Sequence, residues 1–188
     1  MHVPLQEGRG FLVSVRRVDP GLVVEGMELP ELVVREIRSD HILMFALVLR
    51  DTNPIHFDTE AVRRVGLGDQ IVNQGGVSMA YLLNLLCEWA GSRVAVERIE
   101  CRFRTNVHAG DEVTAGGVVT GVRDFPRGRV ADCDVWLKLP DGRSVITGKA
   151  SVVLGVVGED SSSNDHQSPG DVGNGNEQGP SQPGHRSR

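Results

Sequence analysis

The stretch Gly75-Gly76-Val77-Ser78-Met79-Ala80-Tyr81-Leu82-Leu83-Asn84-Leu85-Leu86-Cys87-Glu88-Trp89 decides the fold. It is rich in good helix formers, and Ala90-Gly91 after it reads as a helix stop. Its apolar residues surround the axis instead of forming one stripe, so the helix is expected to be buried on most sides. A helix of that kind needs a sheet curved about it and stands at the centre of the domain.

Working outward, the sequence supplies the sheet. Ile99, Cys101 and Phe103 alternate with Arg98, Glu100, Arg102 and Arg104, which predicts a strand with the first three facing the core and the others wet. Ala131, Cys133, Val135, Leu137 and Leu139 alternate with Asp132, Asp134, Trp136 and Lys138. Pro140-Asp141-Gly142 then supplies a turn before Ile146, Gly148, Ala150, Val152 and Leu154, so the two runs form an antiparallel hairpin. Val113 to Val122 and Leu32 to Ile37 are further strands, and Ser39 to Leu47 is a short helix that caps one end. The class is α+β.

The folded unit is read as residues 1–157. From Gly158 to Arg188 the only sizeable aliphatic side chain is Val172, and so polar a segment cannot offset its ordering entropy; residues 158–188 are expected to be a disordered tail. The formal net charge is −5, and the tail holds five acids against Arg186 and Arg188, leaving −2 for the rest. Such a balance argues against a general nucleic-acid surface. Cys87, Cys101 and Cys133 lack a CxxC pair or a zinc-ligand companion, which reads as reduced thiols in a cytoplasmic protein. Met1 to Gly10 lacks the basic start and apolar run of a signal peptide, and Val77 to Cys87 is too short to cross a bilayer; no membrane association is expected.

The chemistry-bearing residues concentrate in Arg50-Asp51-Thr52-Asn53-Pro54-Ile55-His56-Phe57-Asp58, where Pro54 keeps Asn53 out of helical dihedrals. An imidazole and a carboxylate in one rigid loop can divide acid and base roles near neutral pH. Asp, Asn and Pro are also ordinary turn formers, and a histidine can be a satisfied core residue, so composition alone leaves both readings open. Asp58 and His56 make too few ligands for a metal site, and none is expected. His41 and His108 are isolated. Ser78 lacks a neighbouring base in sequence, so nucleophilic catalysis is not supported.

This loop resembles the motif of the MaoC-like enoyl-CoA hydratases and dehydratases, Asp-x-Asn-Pro-aliphatic-His, matched by Asp51, Asn53, Pro54, Ile55 and His56. Further likeness lies in Gly26 to Pro30, Asp58 to Gly66, Val72 to Gly75, Glu88 to Gly91, Phe103-Arg104, Ala109 to Asp111, Asp141-Gly142 and Gly148 to Ala150, so that it spans roughly Gly21 to Leu154. The resemblance implies a single hot-dog domain, a curved antiparallel sheet wrapped around one long helix. It also implies addition of water across a trans-2-enoyl thioester, or its reverse, with Asp51 and His56 as the catalytic pair and Asn53 supporting the loop. The charge that builds on the thioester oxygen then needs a donor, and the backbone N–H of Gly75, at a helix N-terminus, is the best candidate. The chain departs from the family pattern at Leu49-Arg50, where a small residue and Gly are usual, and at Gln74, where His is frequent. A nearby Arg50 guanidinium would hold Asp51 ionised. One extra residue before the helix leaves Gly75 and Gly76 as alternatives, and helix register favours Gly75.

The resemblance implies no cofactor beyond a coenzyme A thioester as substrate, an acyl-carrier-linked substrate being the alternative. It also implies a homodimer, with a heterodimer possible. A non-catalytic acyl-binding subunit of a heteromeric dehydratase is the second reading. A hot-dog thioesterase is the third, disfavoured because the central helix carries only Glu88 as an acid, at its far end. Arg98, Arg102 and Arg104 share one strand face, read first as solvated and second as a meeting place for phosphates or acidic residues of a carrier.

Overall fold

The computed structural model describes residues 15–125 and 128–155. The segment 158–188, read above as a polar tail, lies outside these residues, as does the N-terminal stretch read for a signal peptide. In chain order the elements are β1 (Leu32–Val34), α1 (Ser39–Leu49), a 3-10 turn (Pro54–His56), α2 (Thr59–Arg64) and α3 (Gly75–Ala90), followed by β2 (Val96–Phe103), β3 (Val113–Phe125), β4 (Gly128–Lys138) and β5 (Ser144–Leu154). The strands form one antiparallel sheet in the order β1-β3-β4-β5-β2. This is the α+β hot-dog domain, and α3 packs on β2, β3, β4 and β5 together.

Burial of α3 explains the arrangement. Val77, Leu82, Leu85, Leu86, Trp89 and Ala90 are buried, and the inward positions of β4 and β5 close over them. The expected antiparallel hairpin forms, with Leu137 opposite Ile146 and Val135 opposite Gly148. Its turn is closed by Gly142, whose φ of 85° demands glycine, and by Asp141, whose Oδ1 accepts from Arg143 N at 3.0 Å. At its C-terminal end α3 stops on Gly91 at φ 72°, where Ser92 N donates to Cys87 O at 3.0 Å in a Schellman closure.

The central helix is covered on most sides, as expected, with Asn84 exposed and Leu83 and Cys87 half-buried. Other expectations change. Phe103 shares the inner face of Ile99 and Cys101, its ring beside Gly75, but that face is poorly covered: Phe103 is 55% exposed and the other two are half-buried, because β2 is an edge strand with no described strand beyond it. The first strand ends at Val34 instead of Ile37, because Val34 pairs with Val113, the first residue of β3, and the ladder runs out of partner. Ile37 instead exchanges backbone bonds with Gly110 and Asp111.

The helix read as Ser39 to Leu47 runs on to Leu49, buries Ile42 and Ala46, and leaves Leu47 80% and Val48 70% exposed. Among the described residues no helix is long and apolar enough to cross a membrane.

Leu85 is fully buried under the sheet. Leu85→Ala is expected to cost about 3 kcal/mol through lost transfer energy and the cavity left behind, measured as a lowered denaturant midpoint at unchanged slope.

Candidate active site

The loop after α1 is built from backbone bonds that the sequence prescribes. Arg50, at φ 52°, is the sole non-glycine residue at positive φ among the described residues. Its N–H donates to Leu47 O at 3.2 Å, and Asp51 N donates to Ala46 O at 2.8 Å, which together make a Schellman closure of α1. Glycine ordinarily fills that left-handed position, and an L side chain there costs about 1 kcal/mol. Asp51 is thus launched from the helix end in a fixed direction.

Each next residue locks the one before. Asp51 Oδ1 accepts from Asn53 N at 3.0 Å, and Asn53 Oδ1 accepts from Ile55 N at 3.4 Å, so Asn53 caps the 3-10 turn that Pro54 begins. Both bonds are side-chain mimics of a backbone turn. The turn ends on His56, which is 6% exposed. Asp58 then caps α2, its Oδ1 accepting from Glu60 N at 2.8 Å.

His56 Nδ1 donates to the carbonyl oxygen of Val72 at 2.7 Å. A carbonyl only accepts, so the neutral ring carries its proton on Nδ1 and presents an unprotonated Nε2. That Nε2 lies 3.3 Å from Asp51 Oδ2. A neutral imidazole nitrogen and a carboxylate oxygen are both acceptors, so the gap is favourable only with a proton or a water hydrogen in it. The pair is therefore equipped to hold water and to take one of its protons. Among the described residues Arg50 forms no ion pair, with Asp51 or any other acid.

The same peptide segment carries the ring's acceptor and the start of α3. Val72 N donates to Ile55 O at 2.9 Å and Asn73 N to Val107 O at 2.7 Å. Asn73 Nδ2 donates to Ser78 Oγ at 3.0 Å, and Gln74 Nε2 to Ile42 O at 3.0 Å, which ties α3 to α1. Buried Gln74 Oε1 has no partner among the described residues. Gly75 lies three residues beyond Val72, at most ~11 Å of extended chain. Among the described residues no side chain caps the N-terminus of α3, its first turn holds no acid, and Gly75 and Gly76 are both exposed. The first-turn amides are therefore open to a ligand with the helix dipole behind them. A Cβ on Gly75 would stand 3.3 Å from the Phe103 ring, whereas one on Gly76 would meet nothing within 4 Å.

The structure thus gathers Asp51, Asn53 and His56 in one loop and ties that loop to the segment leading into Gly75 and Gly76. Sequence reasoning missed the Val72 carbonyl, which is a backbone group and leaves no trace in side-chain identity. It also missed the Gln74 strut. His108 is structural, with Nε2 2.8 Å from Leu67 O, and His41 is exposed. Glu88, the lone acid of α3, accepts from Val15 N at 3.1 Å at the far end of the helix. Cys133 is buried, and burial pushes its thiol up to about 12, which removes it as a nucleophile.

A family model for the MaoC like domain matches residues 25–135. A 3-hydroxyacyl-[acyl-carrier-protein] dehydratase, FERN, mitochondrial, from Solanum lycopersicum is 25% identical over 120 residues, 64% of this chain and 72% of that protein. Among solved structures, the (R)-hydratase from A. caviae involved in PHA biosynthesis superposes at a TM-score of 0.61 with 24% identity, covering 71% of this chain and 98% of its own. A chain of the ChsH1-ChsH2 complex from Mycobacterium tuberculosis gives a TM-score of 0.61 and 24% identity over 71% of this chain and 99% of that one.

Because Arg50 holds the left-handed position against its preference, Arg50→Gly is expected to raise stability by about 1 kcal/mol. Equilibrium unfolding of the two proteins checks this.

Proposed function

The chain belongs to the MaoC-like dehydratase family, and from that premise we propose that it interconverts trans-2-enoyl and 3-hydroxyacyl thioesters, with Asp51 and His56 activating water. The observation that carries this reading is the Nδ1 bond from His56 to Val72 O, which turns a bare Nε2 toward the Asp51 carboxylate. In the hydration direction the pair holds a water and takes one of its protons as the oxygen attaches to the β-carbon. The displaced electron pair reaches the thioester oxygen, where the Gly75 N–H, with Gly76 beside it, donates to the growing negative charge. The proton then goes to the α-carbon, and the pair returns to its starting state. Asn53 positions the loop without touching substrate. Water supplies the proton, and the chain's own residues relay it and donate to the developing charge, so the proposed sequence calls for no cofactor.

Coenzyme A is the carrier we favour; the name of the tomato relative, an acyl-carrier-protein dehydratase, supports the alternative of a carrier-protein thioester. Assembly as a homodimer through β2 is supported by that strand's open edge and by the adjoining groove lined by Leu83, Cys87 and Ile99. The three unpaired thiols support a reducing, cytoplasmic setting. A second reading, an acyl-binding subunit of a heteromeric dehydratase, draws on the similarity to a chain of the ChsH1-ChsH2 complex.

Loss of absorbance at the conjugated enoyl thioester band, on mixing with crotonyl-CoA and longer trans-2-enoyl-CoA substrates, tests the proposal. Wild type is expected to consume the band, and His56→Ala and Asp51→Asn to lose at least 100-fold in rate, on the order of the contribution of general acid–base catalysis. Silence of the folded wild type at every chain length would favour the acyl-binding subunit.

A further inference from the structure

The face of the sheet turned away from α3 holds a groove that the thioester chemistry does not use. Its volume is about 650 Å3, and its lining includes Arg102, Arg104, Trp136, Lys138, Thr147 and Lys149. That size is within the range of about 300–1,000 Å3 typical of small-molecule sites.

Strand register builds the groove. Val135 and Leu137 are buried toward α3, so Trp136 between them lies on the outer face, as the two-residue period of a strand requires. Trp136 stands opposite Gly116 on one side and Thr147 on the other, and Thr147 stands opposite Arg102, which makes one row across β3, β4, β5 and β2. Gly116 has no side chain to lift the indole, and a Cβ there would come within 2.8 Å of the Trp136 Nε1. The ring therefore lies close on the sheet as a floor. Lys138 Nζ sits 4.6 Å from the ring centroid, and Arg104 Nε donates to Thr147 Oγ1 at 3.2 Å.

Charge on this face is segregated. Away from the tryptophan the cations are neutralised: Arg123 pairs with Asp132 at 2.9 Å, and Arg98 pairs with Glu100. Around the tryptophan, Arg102, Arg104, Lys138 and Lys149 form no ion pair among the described residues. The groove's two acids, Glu100, already engaged by Arg98, and Asp134, both stand opposite Lys149 in register, which leaves Arg102, Arg104 and Lys138 as the cations without an acid beside them. A concentration of unneutralised cations in a chain of net charge −5 repels itself and is suited to an anion from outside.

We propose that this groove binds a nucleotide, with its phosphates between Arg102, Arg104 and Lys138 and its ring or sugar against Trp136. Guanidinium groups offer phosphate a planar pair of donors, and the indole offers an apolar plane from which the mobile lysine can swing aside. Arg102 is two strands from Trp136, about 10 Å at the backbone, a separation that a ring joined to a diphosphate through a sugar can bridge. The ligand is either a free nucleotide or the nucleotide end of a larger coenzyme. The site is separate from α3 and from Gly75, and the inference stands independently of the hydration reading.

The test is calorimetric titration of the full chain with ADP and with adenosine, alongside Trp136 emission. ADP is expected to bind at least tenfold more tightly than adenosine. The double variant Arg102→Ala, Arg104→Ala is expected to weaken ADP at least tenfold, and Trp136→Phe to abolish the emission change while heat of binding remains. Coenzyme A is the second arm: competition with ADP identifies a coenzyme end as the occupant, and its absence identifies a free nucleotide. No binding of ADP, equal binding of adenosine, or ADP affinity untouched by the double variant would overturn the proposal and leave a solvated strand face.

Discussion

A helix of 16 residues that is apolar on nearly every side cannot be left in water, and the rest of the molecule answers that constraint. Five antiparallel strands turn their alternate side chains inward over α3, with Ala131, Cys133, Val135 and Leu137 from β4 and Ile146, Ala150, Val152 and Leu154 from β5 forming the cover. Once the sheet is committed to the helix, its outer face and the loops at the helix N-terminus are what remains for chemistry. Gly75 can open the helix uncapped because the burial of residues further along holds α3 without help from its first turn.

Much of this was legible in the residues. The period of two in the β4 and β5 runs, broken by Pro140-Asp141-Gly142, specified the hairpin and its inward face, because a slip by one position would turn Leu137 and Ile146 to solvent. Glycine after Ala90 marked the helix end for the same steric reason that the structure shows. Phe103 was misread because alternation says which residues share a face and says nothing about whether that face is covered. An edge strand lacks a neighbour to complete the cover, and no local pattern announces which strand takes the edge. The early end of β1 has a similar origin, since the limit on pairing lies at Val113, far along the chain.

At the site the loop was legible and its anchorage was not. Asp51, Asn53, Pro54 and His56 declare a rigid turn through their own preferences, and the structure adds the contacts that join it to the rest. Val72 enters through a carbonyl that any residue would provide, and Gln74 through a bond to the backbone of Ile42. Arg50 carries the opposite lesson. Its backbone takes the left-handed position that a glycine would take, and the departure from the family pattern places strain at the helix end while the Schellman bonds still close.

The two oxygens of Asp51 have different employers. Oδ1 holds the turn by accepting from Asn53 N, and Oδ2 faces the imidazole. An amide at this position would keep the first oxygen and replace the second, so the residue can surrender its charge without surrendering its shape. Descendants of such a protein released from chemistry would therefore have a ready path, a single step from acid to amide, toward a chain that still folds, still presents the same loop, and serves only as scaffold for an active copy.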